Sequence, residues 1–347
     1  MDVLSDVLTT VRLHSAIHFC PELSAPWGIE VPAQRDRAIF YVLSRGSCYL
    51  EVDGLESPVP LVGGDLAMLP HGAAHTLRDR LHTPAIPLEA LLREGGMSGV
   101  AGAFHHGGGG GKSALVAGYF QFENRAANLF LAALPALIHI RAEDGQSVPW
   151  LEATLKFLAS ESTSEVPGAQ IIMVRLTDVL FIQTLRAYIA QDAKDGQTCT
   201  NEAGMFRALI DPQIGKALEV IHQQPDHPWT VAELAARVSM SRTGFAVRFT
   251  TMAGIAPLDY VRKWRMQKAS DFLRQGEEPL EDIAGRVGYE SGAAFSKAFK
   301  REMGLPPGLY RKAQVRAVTQ VLRSEAQRGS HSRRTRNVDP CVTIRLL

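Results

Sequence analysis

Apolar positions over the first 125 residues come in short runs. The clearest are Ala38–Leu43, Ser47–Val52 and Asp65–Leu69, with turn signals between them at Arg45-Gly46, Asp53-Gly54, Gly63-Gly64-Asp65 and Pro70-His71-Gly72. Short strands at this spacing predict a β-sandwich or barrel. Near residue 126 the period becomes helical. Leu129, Leu131, Leu134, Leu137 and Ile138 share one helical face, and Leu151, Leu155 and Leu158 a second. A third, longer helix is predicted over 169–189, with Ile172, Leu176, Val179, Leu180 and Leu185 on one stripe. That stripe suits two alternatives, packing on the strands or a dimer seam. Residues 191–210 read as a linker, and from 211 the pattern is helical throughout. Residues 314–347 are rich in Arg and Ser with little periodicity, which predicts a disordered tail.

Within the helical part lies a repeat. Val231, Leu234, Ala235, Arg237, Val238, Phe245, Phe249, Gly254, Pro257 and Tyr260 recur as Leu280, Ile283, Ala284, Arg286, Val287, Phe295, Phe299, Gly304, Pro307 and Tyr310, at an offset of 49 that becomes 50 after one extra turn residue. Such a period marks a duplicated supersecondary unit. Each copy has the mechanics of a helix-turn-helix. A short helix presents an inward apolar residue and a small Ala. A break follows at Ser239-Met240-Ser241 or Gly288-Tyr289-Glu290. A second helix then buries two Phe at i, i+4 and stops at a Gly suited to a left-handed cap. Residues 258–274 form an amphipathic helix between the copies, and such a spacer lets both second helices enter successive major-groove segments.

Residues 211–313 closely resemble the DNA-binding domain of AraC/XylS-type transcription regulators. The resemblance is carried by Leu280-x-x-Ile283-Ala284-x-x-Val287-Gly288-Tyr289-x-Ser291-x-x-x-Phe295-Ser296-Lys297-x-Phe299-Lys300, then Gly304-x-Pro306-Pro307-x-x-Tyr310-Arg311. It implies two helix-turn-helix units on one face of promoter DNA. The implied DNA-binding positions are Glu290, Ser291, Ala293, Lys297 and Lys300 in the second copy, and Arg242, Thr243 and Arg248 in the first. The first copy departs from the family, because Val247 stands where the second has Lys297. Either Arg248 reaches a phosphate or base, or this copy reads DNA by shape and apolar contact.

Gly64-(x5)-Pro70-x-Gly72-x-x-His75 has the spacing of the second motif of cupin barrels. With Asp2–Leu8 and Ala25-Pro26-Trp27-Gly28, the N-terminal segment resembles the cupin-type sensor found ahead of AraC-type domains. The resemblance implies an α+β multidomain chain: a cupin-like β-barrel over 1–125, a helical segment over 126–190, a linker over 191–210, a tandem helix-turn-helix domain over 211–313, and the tail. Tyr41 and His75 are the candidate effector-pocket residues. Metal-binding cupins also need a His-x-His and a Glu in the first motif, and Phe40–Gly46 holds neither, so no metal and no cofactor are expected. His71, His105 and His106 could join His75 only if the loop folded back. His106–Ser113 approaches a phosphate-binding loop but has His106 where that motif needs its first Gly, and Ala114–Phe120 looks like a strand. A Gly-rich linker or mobile lid fits better, and no catalytic constellation is present.

Charge sharpens this division. The 347 residues carry a net charge of +1. Residues 1–200 hold 14 basic and 21 acidic side chains, net −7, and residues 201–347 hold 23 and 15, net +8. One half suits a polyanion and the other does not. No run of 18 apolar residues, no basic signal region and no paired cysteine motif among Cys20, Cys48, Cys199 and Cys341 argue for a cytoplasmic protein without a membrane partner. The expected function is sequence-specific transcription regulation by a non-enzyme. Its partners are promoter DNA, a small-molecule effector and a second copy if the 169–189 helix is a dimer seam. The rivals are a metal-dependent cupin enzyme with an appended DNA-binding module and an architectural DNA binder with no effector.

Overall fold

A computed structural model describes residues 3–10, 13–19, 21–93, 105–122, 129–142, 166–195, 204–276 and 278–313, with isolated positions between 153 and 161. The predicted helical face at Leu151, Leu155 and Leu158, and the tail, lie outside the described residues. The chain divides into two compact units, one of residues 11–207, the other of residues 1–10 with 208–347.

The first unit stacks two sheets. Its strands are β1 (Leu13–Phe19), β2 (Glu22–Ser24), β3 (Gly28–Val31), β4 (Arg37–Arg45), β5 (Ser47–Val52), β6 (Val59–Val62), β7 (Leu66–Leu69), β8 (His75–Arg78), β9 (Ile86–Pro87), β10 (His105–Gly107), β11 (Lys112–Phe122) and β12 (Ile138–Ile140). The larger sheet runs β10-β2-β11-β4-β7-β12, with β1 beside β2 on the same edge of β11, and the smaller runs β6-β5-β8-β3-β9. The expected barrel is therefore corrected to a pair of mixed sheets. No strand of one pairs with a strand of the other among the described residues, so neither sheet closes.

Alternation along β4 explains the layering. Ile39, Tyr41 and Leu43 point between the sheets, into a cluster with Trp27, Ile29, Val31, Leu50, Leu69 and Leu77. Phe40 points the other way, where it stacks on Phe120 with centroids 4.8 Å apart, and Phe120 meets Phe181 at 5.0 Å. Phe181 lies on α4 (Ala169–Asp195), so the larger sheet is covered on both faces. Two shorter helices, α2 (Leu88–Arg93) and α3 (Leu129–Ala132), complete this unit's described helices up to α4. The helical face expected through Ile138 is corrected: Pro135 ends that period, and Ile138 and Ile140 form β12 against Met68 and Leu66 of β7. The Gly-rich loop is pinned. Gly108 and Gly110 donate backbone hydrogen bonds to Ser24 and Ala25, and Ala25 donates to Gly111.

Helix α5 (Gly204–Ile210) follows α4, with Phe206 packed edge-on to Phe130 and Tyr188. The second unit comprises α1 (Val3–Thr10), α6 (Ile214–Gln223), α7 (Val231–Arg237), α8 (Arg242–Ala253), α9 (Pro257–Gln275), α10 (Leu280–Arg286), α11 (Gly292–Met303) and α12 (residues 307–313). Val3 and Val7 of α1 are buried, and α1 packs on α6 and α9. Thr230 caps α7 by accepting from the Glu233 amide, and Pro257 opens α9 as its first residue. The repeat extends to ring geometry. Phe245–Phe249 and Phe295–Phe299 both have centroids 5.5 Å apart, and Tyr260 and Tyr310 meet the second Phe of each pair edge-on at 5.7 and 5.3 Å.

Candidate nucleic-acid interface and sensor interior

The pairs α7–α8 and α10–α11 are built alike. Ser241 and Ser291 cap the second helix of each by accepting from Gly244 and Ala294, and Gly254 and Gly304 end them at φ 72° and 78°. Burial of Phe245 and Phe249, or Phe295 and Phe299, turns the opposite face to solvent. On α8 that face carries Arg242, Thr243, Val247 and Thr251, all exposed, with Val247 at 63%. On α11 it carries Ala293, Lys297 and Lys300, with Glu290 exposed just ahead of the cap. Among the described residues neither lysine forms an ion pair. Val247 and Lys297 thus occupy equivalent outward positions, one apolar and one cationic.

Arg248 is differently placed. Its guanidinium donates to the Asp211 carboxylate and to Gln213 Oε1 at 3.2 Å. Asp211 also accepts from the amides of Gln213 and Ile214 at 3.0 and 2.8 Å, which anchors the start of α6. Burial acts to raise the Asp211 carboxyl, but these amides and Arg248 outweigh it and hold the group below its ordinary range. Arg248 therefore ties α8 to the segment before α6.

Between the sheets, Tyr41 and His75 meet. His75 Nδ1 lies 2.8 Å from the Ala73 carbonyl, which only accepts, so Nδ1 carries a proton. Burial pushes the His75 pKa down against the opposing pull of that carbonyl and of Asp53, which keeps the ring neutral and leaves Nε2 as an acceptor. Tyr41 Oη, 2.6 Å away, therefore donates to Nε2 and retains its own lone pairs. Tyr41 comes from the larger sheet and His75 from the smaller, so this bond joins the two layers. The cluster around them is apolar, and its Cys48 thiol is pushed up to about 12 by burial and by Asp65. Gly72 supplies the turn before His75: its φ is 58°, and a Cβ there would come within 1.9 Å of the Gln34 carbonyl oxygen.

Comparison with known proteins agrees with both halves. Residues 2–190 match the family described as Cupin, and residues 234–313 the family described as Helix-turn-helix domain. A putative AraC-like transcription regulator of Streptomyces lividans is 33% identical over 90% of this chain and 98% of its own length. Another of Streptomyces antibioticus is 34% identical over 90% and 99%. The DNA-binding domain of AdpA, solved in complex with a target DNA, is 32% identical over 30% of this chain and 92% of its own, with a TM-score of 0.28. The chain belongs to the AraC-type transcription regulators.

Among the described residues of this AraC-type regulator, no helix is long and apolar enough to cross a membrane. Nor do three His, Cys, Asp or Glu side chains converge as metal ligands. His71 instead bonds the Leu134 carbonyl at 2.6 Å, and His105 lies 3.4 Å from Glu22. Of the positions expected from the sequence, Arg242, Thr243, Ala293, Lys297 and Lys300 lie exposed on α8 and α11, and Glu290 and Ser291 lie exposed just ahead of α11. Sequence reasoning missed the long-range partners of two arginines: Asp211 under Arg248, and the carbonyls of Pro225, His227 and Gly288 to which Arg265 of α9 donates. Pairings across 23 to 40 residues leave no periodic trace. It also missed a buried pair in the second unit, His222 Nε2 at 2.6 Å from Tyr260 Oη, stacked on Trp264 with centroids 3.6 Å apart.

Proposed function

We propose that this regulator binds promoter DNA sequence-specifically through the outward faces of α8 and α11, acting as two helix-turn-helix units in successive major-groove segments. The observation that carries the reading is the pair of capped, Gly-stopped helices, matched in their buried rings and joined by α9. Lys297 and Lys300 supply cationic contacts in one unit. Arg242, Thr243 and Val247 offer the other a mixed polar and apolar face, suited to a thymine methyl as well as to phosphate. Ser291 and Ala293 bring the start of α11 close to the backbone, with Glu290 beside them. Arg248 contributes to DNA only by leaving Asp211, so its resting role is to position α8.

In this reading the two-sheet unit senses an effector from the cytoplasm. The Tyr41–His75 pair sits in an apolar interior, so the fitting effector is small, uncharged and largely apolar, with a donor for the free lone pairs of Tyr41. The outward stripe of α4, with Ile171, Val179 and Ile182 exposed, is the seam for a second copy. The Arg175–Asp178 pair at 3.4 Å on the same stripe gives two antiparallel copies complementary charges.

The test is Lys297→Ala against a site selected from random duplex DNA. Loss of about 1–3 kcal/mol on that site, with a smaller loss on unrelated DNA, is expected for base reading. An equal loss on both assigns Lys297 to a phosphate, and unchanged binding removes Lys297 from the interface.

A further inference from the structure

We propose that Arg265 is a positioning residue that fixes the two DNA-reading helices relative to each other, and so sets the spacing of DNA segments that the regulator accepts. The inference rests on the proposed reading that α8 and α11 both contact DNA.

Arg265 lies in the middle of α9, between the two helix pairs. Its Nε donates to the Pro225 carbonyl at 2.6 Å, Nη2 to that of His227 at 2.8 Å, and Nη1 to that of Gly288 at 3.3 Å. Pro225 and His227 belong to the segment that leads into the first pair. Gly288 is the turn of the second. One planar guanidinium thus joins both halves through three main-chain oxygens, a fork that a lysine ammonium does not reproduce.

Each end of this bridge is itself fixed to a reading unit. His227 Nε2 lies 2.8 Å from Glu233 Oε1 on α7, and Trp229 Nε1 donates to the Gln224 carbonyl at 2.9 Å. On the other side Tyr289, next to Gly288, packs edge-on to Phe295 of α11 with centroids 5.9 Å apart. A shift at Arg265 is therefore felt at both α7–α8 and α11.

The repeat carries an independent mark of this contact. Both turns need a left-handed residue, Ser239 at φ 56° and Gly288 at φ 75°. Ser239 is exposed and tolerates its side chain. At Gly288 a Cβ would come within 2.6 Å of the Asp226 carbonyl oxygen and 2.7 Å of Arg265 Nη2. The copies differ here because the second turn is pressed against Asp226 and Arg265, whereas Ser239 of the first turn is exposed.

The experiment uses the full chain and a duplex selected from random sequence, then the same duplex with one base pair inserted or removed between the two protected segments. Each such step moves one segment by about 3.4 Å and about 35° around the helix. The unaltered protein is expected to lose about tenfold or more in affinity at either altered spacing, a mismatch-sized penalty. Arg265→Met and Arg265→Lys should flatten this to about threefold or less, within the spread of one weak contact. Gly288→Ala, which wedges the same contact from its other side, should flatten the profile or move its optimum, and it serves if the Arg265 variants fail to fold. A parallel loss at every spacing, with the steepness kept and the melting temperature lowered, makes Arg265 a stabilising residue only and overturns the inference. A flat profile in the unaltered protein overturns the tandem reading itself, and the inference with it.

Discussion

A serine held at positive φ is costly, and Ser239 is the one described non-glycine residue in that state. The left-handed conformation costs an ordinary residue about 1–2 kcal/mol. Glycine avoids that cost but loses about 0.5–1 kcal/mol more backbone entropy on folding. Ser239→Gly is therefore expected to stabilise the second unit by up to about 1.5 kcal/mol in a urea titration, the range spanned by the difference of those two terms. A destabilisation would mean that the exposed Ser239 hydroxyl makes a contact that offsets its backbone strain. The sequence already aligned Ser239 with Gly288 in the repeat, because the turn's backbone need is local. It could not show which of the two must be glycine, since Asp226 and Arg265 reach Gly288 only through the tertiary fold. Arg248 is a similar case: its positive charge was legible, and its partner Asp211 was not.

Helix α4 shows what an apolar pattern can and cannot settle. The stripe of Ile172, Leu176, Val179, Leu180 and Leu185 predicted a helix, and the helix is present and runs on to Asp195. The same residues divide between two sides: Leu180 and Leu185 are buried, whereas Ile172 and Val179 are exposed. Periodicity established the element, but apolar residues around most of its circumference hid which face meets the sheet. Phe181 marks the covered side, with Phe120 and Phe122 at 5.0 and 5.3 Å. Phe181→Ala should cost the first unit about 3–5 kcal/mol of stability. Its neighbour Ile182 lies on the outward side, so Ile182→Glu should change stability by no more than about 0.5 kcal/mol. If α4 is the dimer seam, that variant sediments as a monomer where the unaltered protein sediments as a dimer. A variant that remains dimeric removes the seam from α4. Strands β4, β5 and β7 were legible because turn glycines punctuate short apolar runs, continuous in β4 and β7 and alternating in β5. Sheet closure was not, because it depends on which distant strands pair, and strand pairing is not encoded in any one strand.

At the scale of the whole molecule, each unit buries one neutral imidazole against a tyrosine hydroxyl: His75 with Tyr41 in the first and His222 with Tyr260 in the second. Burial, helped by the nearby Lys268 charge, lowers the His222 pKa from 6.5 to about 3. Asp6 of α1, with Oδ2 3.7 Å from Nδ1, is too distant for a hydrogen bond that would hold the proton. In the unfolded chain the same ring titrates near 6.5. Between those values the unfolded state binds a proton that the folded state excludes, so stability rises with pH. The contribution is fully present above pH 6.5 and falls by about 1.4 kcal/mol for each pH unit from there toward 3. His75 is depressed in the same direction, so both units weaken together on acidification. Free energies of unfolding measured from pH 7 down to pH 4 should show this slope in the second unit, and His222→Phe should remove most of it while leaving the first unit's slope in place. A slope unchanged by that substitution would place the acid-sensitive group elsewhere, with the carboxylates that the fold holds ionised, Asp211 first among them.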